Sequence, residues 1–168
     1  SYGQKHLKDY DCVDQYAEGY AKVRKEGKNG FIDITGKLVT PLKYDDALCF
    51  SEGRAAVSIN NKWGYIDTTG REVIPMKFYE VYSFHEGLAA VNEGKFGFIN
   101  KDGKYLIEPA YEQAGSFSEG LAPVSRKNMW GFINPEGKEL IPIRYSYADK
   151  FYNGSAKVML NGKWLEDR

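Results

Sequence analysis

Histidine and cysteine each occur only twice in the 168 residues, and no apolar run approaches the roughly 18 residues that a membrane-spanning helix needs. The chain also lacks an excess of either charge, with 23 Lys and Arg against 23 Asp and Glu. Zero net charge removes the long-range field that draws proteins to phosphate, so nucleic acid and anionic membrane surfaces are poor partners. The leading Ser-Tyr-Gly-Gln-Lys has no apolar core of the kind a signal peptide needs, and a beginning at Ser1 is compatible with processing or trimming. Helical periodicity is missing as well: no long segment repeats its apolar residues every 3.6 positions. What the chain does have in excess is glycine, 18 residues, and aromatics, 15% of the total and mostly Tyr.

Both excesses are periodic. The pattern aromatic, any, Glu or Asn, Gly places glycines at 19, 53, 87, 120 and 154, in steps of 34, 34, 33 and 34. A second glycine series follows an aromatic or Asn at 30, 64, 97 and 131, and a third closes a turn at 36, 70, 103 and 137. The one missing residue falls in Asn92-Glu93-Gly94-Lys95, where it shortens a tip. Such a period is the signature of a tandem array, in which no copy can bury its apolar face alone.

Within a copy, Leu88-Ala89-Ala90-Val91 and Phe96-Gly97-Phe98-Ile99-Asn100 read as strands joined by a tight tip, with Asn161-Gly162 a type I′ signal at the equivalent place. Asp33-Ile-Thr-Gly36, Asp67-Thr-Thr-Gly70, Asn100-Lys-Asp-Gly103 and Asn134-Pro-Glu-Gly137 have type I turn chemistry. A strand such as Glu72-Val73-Ile74 follows and is expected to end at Pro75, with Pro41, Pro109 and Pro142 at or near the matching positions. Residues 78–84 are a candidate fourth strand. The fold class is therefore all-β: tandem antiparallel β-meanders of about 34 residues, in one repeat domain over residues 1–168.

Of the 25 aromatics, 18 fall in four columns of the repeat and are expected to form its core. The columns are Tyr10, Tyr44, Phe78, Tyr111 and Tyr145; Tyr16, Phe50, Phe84, Phe117 and Phe151; Trp63, Phe96, Trp130 and Trp164; and Phe31, Tyr65, Phe98 and Phe132. The other seven are all Tyr: Tyr2, Tyr20, Tyr79, Tyr82, Tyr105, Tyr147 and Tyr152. Because the columns use Phe and Trp freely, an all-Tyr remainder suggests rings with a wet end. All but Tyr2 are the candidate ligand-surface residues, with coverage of the sheets as the competing reading.

Candidates for chemistry are few. Glu18, Glu52, Glu86 and Glu119 could form a ladder of carboxylates for a metal or cation, but a hydrogen-bonding role at a turn made once per copy is the favoured reading. His85 replaces Ser51 and Ser118 and is expected, like His6, to be an exposed bystander. Cys12 and Cys49 have no CxxC spacing and are expected to be free, partly buried thiols, with a disulfide between adjacent copies as the alternative. The segment from Gly97 to Lys104 imitates a phosphate loop, but it has one residue too many between its glycines and Tyr105 where Ser or Thr belongs. Asn100 to Gly103 lacks the first ligand and the closing Glu of a calcium loop. Asn153-Gly-Ser155 matches a glycosylation acceptor only formally. No catalytic residues, metal or cofactor are expected.

Lys62-Trp63-Gly64-Tyr65-Ile66-Asp67, preceded by Glu52-Gly53-Arg54-Ala55-Ala56-Val57 and followed by Gly70-Arg71-Glu72-Val73-Ile74-Pro75, resembles the bacterial WG (KWG) repeat. The likeness runs from about Tyr10 to Trp164, with departures at Asn29, Phe96 and Leu165. The resemblance implies a variable-copy array without an assigned reaction, on surface, lipoprotein or multidomain chains, so a cell-surface, periplasmic or secreted location is favoured over the cytoplasm. It also favours an open superhelical array. A closed five-bladed propeller-like ring is the alternative, and it would follow if Gln4 to Leu7 supplied the strand equivalent to Val73-Ile74. The functional expectation is a non-enzymatic module that binds a protein or a carbohydrate. The alternatives are a passive spacer, or a glycosidase-like hydrolase, which would need two carboxylates about 5 to 10 Å apart in a deep pocket.

Overall fold

The computed structural model describes residues 7–167. These form eighteen strands in five small antiparallel sheets, and no helix is among their elements. Two compact units divide at Ser83 and Phe84. The first contains β1 (Cys12–Val13), β2 (Tyr20–Lys25) and β3 (Lys28–Asp33) as one meander. A second meander follows from β4 (Asp46–Ala47), β5 (Ala55–Ile59), β6 (Lys62–Ile66) and β7 (Glu72–Phe78), and then the two-residue β8 (Glu80–Val81). In the second unit, β9 (Ala89–Asn92), β10 (Phe96–Ile99) and β11 (Tyr105–Tyr111) pair in order. The four-stranded meander β12 (Gln113–Ala114), β13 (Ala122–Arg126), β14 (Met129–Ile133) and β15 (Glu139–Tyr145) comes next. The last sheet has three strands, β16 (Tyr147–Ala148), β17 (Ala156–Leu160) and β18 (Lys163–Asp167). Residues 4–6, whose pairing would complete a ring, lie outside the described residues, and Leu7 is not in a strand.

The turn chemistry read from the sequence is realised residue by residue. The pairs Glu18-Gly19, Glu52-Gly53, Glu86-Gly87, Glu119-Gly120, Asn153-Gly154 and Asn161-Gly162 are two-residue turns with both φ angles positive, as at Glu52 (54°) and Gly53 (78°), where paired Ser51 and Arg54 backbone bonds of 2.8 and 3.1 Å close the turn. At the opposite turns, Asp33 Oδ1 accepts the N–H groups of Thr35 at 2.9 Å and Lys37 at 3.1 Å, and Asp67 does the same for Thr69 and Arg71. Asn100 and Asn134 repeat the arrangement with an amide oxygen.

One expectation about the strand ends fails. The strand after each of these turns does not end at its proline: β7 passes through Pro75, β11 through Pro109 and β15 through Pro142. The reason is a bulge. Between Trp63↔Phe78 and Tyr65↔Ile74, two steps on β6 oppose four on β7, and β14 with β15 shows the same shift. A bulged edge strand does not need the N–H that proline lacks. The bulge lies directly on the glycine after the Trp. A Cβ on Gly64 would sit 2.4 Å from the Ile74 carbonyl oxygen, and one on Gly97 or Gly131 2.6 Å from that of Ile107 or Ile141. The repeat's glycine is thus dictated by close approach of backbone. At Gly30, where the chain makes only isolated bridges, the nearest atom would be 3.1 Å away.

Adjacent copies join through the aromatic columns. Phe31 and Tyr44 pack on Ala47, Phe50, Ala55 and Val57 of the next copy, and Phe132 and Tyr145 pack on Ala148, Phe151, Ala156 and Val158. Phe31–Phe50, Phe98–Phe117 and Phe132–Phe151 meet edge to face at 4.9 to 5.0 Å between centroids. Such pairs contribute about 0.5–1.5 kcal/mol each beyond the area they bury. In the first copy, the face that has no preceding copy among the described residues is covered by Leu7 and Tyr10.

Two predictions follow from this geometry. Gly64→Ala and Gly131→Ala should each destabilise the chain by about 2–3 kcal/mol through overpacking, and Gly30→Ala by about 1 kcal/mol or less, measured by urea unfolding. The Thr35 and Thr69 hydroxyls hold the Asp33 and Asp67 carboxyls below the usual carboxylate range. A depressed folded-state pKa stabilises above the unfolded value and is lost as pH falls through the folded one. Below about pH 4 the amide resonances of Lys37 and Arg71 should therefore move in an NMR titration, while those of Lys104 and Lys138, bonded to Asn side chains, stay in place.

Candidate functional site

The glutamates of the Glu-Gly turns are not a metal ladder. Glu18 accepts the N–H groups of Glu52 at 2.6 Å and Gly53 at 2.9 Å, one copy further along. Glu86 accepts the N–H of Gly120 at 2.8 Å, and Glu119 that of Gly154 at 3.0 Å. Each carboxylate therefore fastens the tight turn of the following copy. The position requires φ near 54°, a conformation that Asn adopts more readily than Glu, and the fifth copy has Asn153 at φ 51°. Among the described residues, no group of three or more His, Cys, Asp or Glu side chains could hold a metal ion. Likewise, none of their helices is long and apolar enough to cross a membrane.

Cys12 and Cys49 are free and exposed, not partly buried: Cys12 lies on β1 and Cys49 just after β4, and the core there is filled by Ala47 and Phe50 in the second copy. Cys12 borders a polar pocket of about 320 Å³ with Asp14, Lys22, Arg24, Asn29, Asp45 and Asp46. The pocket lies where the first copy has Asn29 in place of Trp. Asn29 is buried, and its amide donates to the Tyr44 and Asp45 carbonyls at 3.3 and 3.1 Å. The carboxylates here are engaged: Asp14 with Lys22 at 3.4 Å, Asp45 with Lys28 and the Asn60 N–H, and Asp46 with the Ala47 N–H. The Lys28 bond holds Asp45 below its ordinary range, opposite to the shift a general acid needs.

The six candidate tyrosines separate by environment. Tyr20 is half-buried, its ring 4.9 Å from Phe50, and so belongs to the packing between copies. Tyr105 is half-buried and donates its hydroxyl to Glu93, and burial pushes its pKa up. Tyr82 sits at the margin of exposure, with its carbonyl accepting the Tyr65 hydroxyl at 2.6 Å, and burial raises its pKa too. Tyr79, Tyr147 and Tyr152 are exposed by 59%, 46% and 70%. Lys62 Nζ stands 3.6 Å over the Tyr79 ring.

Among the column residues singled out above, Phe50, Phe84, Phe96, Phe117 and Phe151 are buried, and Trp63 and Trp130 are half-buried. Trp164 differs: it is 57% exposed and meets Tyr147 edge to face at 5.4 Å. These two rings, with Met159 and Leu165, line an open groove of about 880 Å³ on the last sheet, flanked by Asp149 and Lys157. Tyr147 pairs with Met159 and Met159 with Trp164 across the strands, so the three form one row. Sequence reasoning set Trp164 in the core because its column recurs. The signal that separates it is the change of the following glycine to Leu165.

Five meanders with recurrent turns, aromatic packing between neighbouring copies within each unit, and fastened tips define a tandem β-repeat fold. The WG containing repeat model matches residues 30–63, 63–95, 96–129 and 130–164, so the chain belongs to the WG repeat family. No curated protein matches the chain significantly. Its fold is similar to Kluyveromyces lactis Hsv2 (TM-score 0.53, 10% identity, covering 86% of this chain and 55% of that one). It is also similar to the Hsv2 variant with loop 6CD replaced by a Gly-Ser linker (TM-score 0.56, 12% identity, 89% and 60%). The WD40 β-propeller domain of Doa1 aligns at a TM-score of 0.45 and 12% identity, over 90% and 60%. The chain thus spans less than two thirds of each of these chains, and at 10–12% identity the likeness to the two Hsv2 structures is one of fold alone.

The turn fastening is testable in the second unit. Glu119→Ala should cost about 1 kcal/mol in urea unfolding, since it removes a charge-assisted bond at an exposed turn, and Glu119→Gln should cost less.

Proposed function

We propose that the chain is a non-enzymatic interaction module that binds a protein or a glycan through exposed aromatic side chains, with the fifth sheet as its principal contact surface. The row Tyr147, Met159 and Trp164 carries this reading. Elsewhere in the repeat the Trp column is covered or half-covered, whereas here two exposed rings in edge-to-face contact lie beside the half-buried Met159. Rings of this kind supply stiff contact area with little side-chain entropy to lose, and one polar atom each to orient a partner. The flanking Asp149 and Lys157 provide a polar rim. Tyr79 with Lys62 is a smaller second patch in the first unit.

A screen of the folded chain against glycan and protein libraries should yield a ligand whose affinity falls at least tenfold, about 1.4 kcal/mol, on Tyr147→Ala. A ligand equally sensitive to Tyr79→Ala and not to Tyr147→Ala would move the surface to the first unit. Ligands indifferent to both would refute the reading.

A further inference from the structure

The face of the first meander that packs on the second copy is built from different residues than its counterparts. Arg24 lies between Cys12 and Asn29 in one cross-strand row, and Lys22 stands two positions earlier on the same face. In the same register the second copy has Ala56, Ser58 and Trp63, the third Ala90, Asn92 and Phe96, and the fourth Pro123, Ser125 and Trp130. Two uncharged residues beside a large ring are thus replaced by two cations beside a short amide. The polar pocket of about 320 Å³ opens at this place, between the first sheet and Asp45 and Asp46 of the second copy. Its described lining lies wholly within the first unit. Leu7 and Tyr10 pack with Ala21, Val23 and Ile32, on the opposite face of the sheet.

The polar groups of this pocket are unequally satisfied. Lys22 Nζ donates to the Ala47 carbonyl at 3.2 Å and lies 3.4 Å from Asp14, and Asp45 is held by Lys28 and the Asn60 N–H. Three groups are left over. Asn29 is only 4% exposed, and its amide nitrogen donates to the Tyr44 and Asp45 carbonyls, yet its Oδ1 accepts no hydrogen bond among the described residues. Among those residues no side-chain nitrogen or oxygen wholly shut off from the surface lacks a partner, so this oxygen opens on the pocket that Asn29 lines. Asp46 accepts the Ala47 N–H at 2.8 Å through one oxygen and leaves the other open. The Arg24 guanidinium donates to no group and pairs with no carboxylate among the described residues.

These three groups select the ligand. An anion alone would satisfy Arg24 and leave the Asn29 and Asp46 oxygens opposed to it, and a cation alone would do the reverse. A sugar has hydroxyls for all three, but its apolar ring face calls for an aromatic plate, and no described lining residue is aromatic. We propose that the pocket binds a free α-amino acid, its carboxylate held by the Arg24 fork and its ammonium by Asn29 Oδ1 and Asp46. The two charged groups of such a ligand are adjacent, as Arg24 and Asn29 are across the strands. Apart from Val23 and the Cys12 thiol the lining is polar, which suits a small or polar side chain on the ligand.

The test uses the full chain and the twenty proteinogenic L-amino acids, titrated singly by calorimetry, with backbone amide shifts followed by NMR. At least one with a small or polar side chain should bind at a single site and shift the amides of Cys12, Arg24, Asn29 and Asp46. The carboxamide and the N-acetyl derivative of that amino acid should each bind at least tenfold more weakly. Arg24→Gln and Asp46→Asn, both at exposed positions, should each weaken it at least tenfold while the urea midpoint stays in place. Binding of none of the twenty, shifts confined to residues outside the pocket, or equal affinity for either blocked derivative would overturn the proposal. So would unchanged affinity in either variant, or tighter binding of glucose or inorganic phosphate than of any amino acid.

Discussion

The contact on which the three central copies depend is a backbone bulge resting on a residue with no side chain. Three strands of a meander follow from alternating residues and tight turns, but the fourth must leave its sheet and lead into the next copy. It does so by compressing four residues against two, and the compressed segment comes to within 2.4 to 2.6 Å of where a Cβ would stand. Only glycine leaves room. The proline in the same segment is tolerated because the bulge has already released its position from the ladder. The Trp-Gly dipeptide that marks the family is the sequence trace of this contact: the ring covers the aromatic residue opposite, and the glycine admits the bend.

Two further interactions turn a folded copy into an array. Within each unit the Phe columns meet edge to face across the joint, and a glutamate from one copy fastens the tight turn of the next. The glutamate is held at a positive φ that suits Asn better, so its place in the repeat reflects its reach and not its backbone preference. Asn153 and Leu165 depart from the Glu and the Gly of the other copies, and the fifth sheet carries a polar rim of Asp149 and Lys157 beside an exposed pair of rings.

Much of this was legible in the sequence, because a repeat states each structural requirement several times. The period, the turn types at Asp33 and Asn134, the all-β class and the core columns, the exposed Tyr16 and Trp164 apart, follow from residue types at fixed offsets. The glutamates were legible as turn residues, but not as links between copies, since hydrogen-bond reach across a joint has no local signature. Pro75 misled for a related reason: proline ends a regular strand, and the bulge that accommodates it depends on a glycine eleven positions earlier. The candidate tyrosines were the least legible. Nothing in their sequence positions separates Tyr20, packed on Phe50, from Tyr147, open to solvent, because that difference arises from which faces have a neighbour.

The central claim is that the glycine exists to seat the bulge, and a double-mutant cycle tests it directly. Deleting Pro142 and Ile143 converts β15 to a regular strand that keeps Tyr145 opposite Trp130 and Ile141 opposite Phe132. In that background Gly131→Ala should cost less than about 0.5 kcal/mol in urea unfolding, against about 2–3 kcal/mol in the natural chain. An equal cost in both backgrounds would contradict the account.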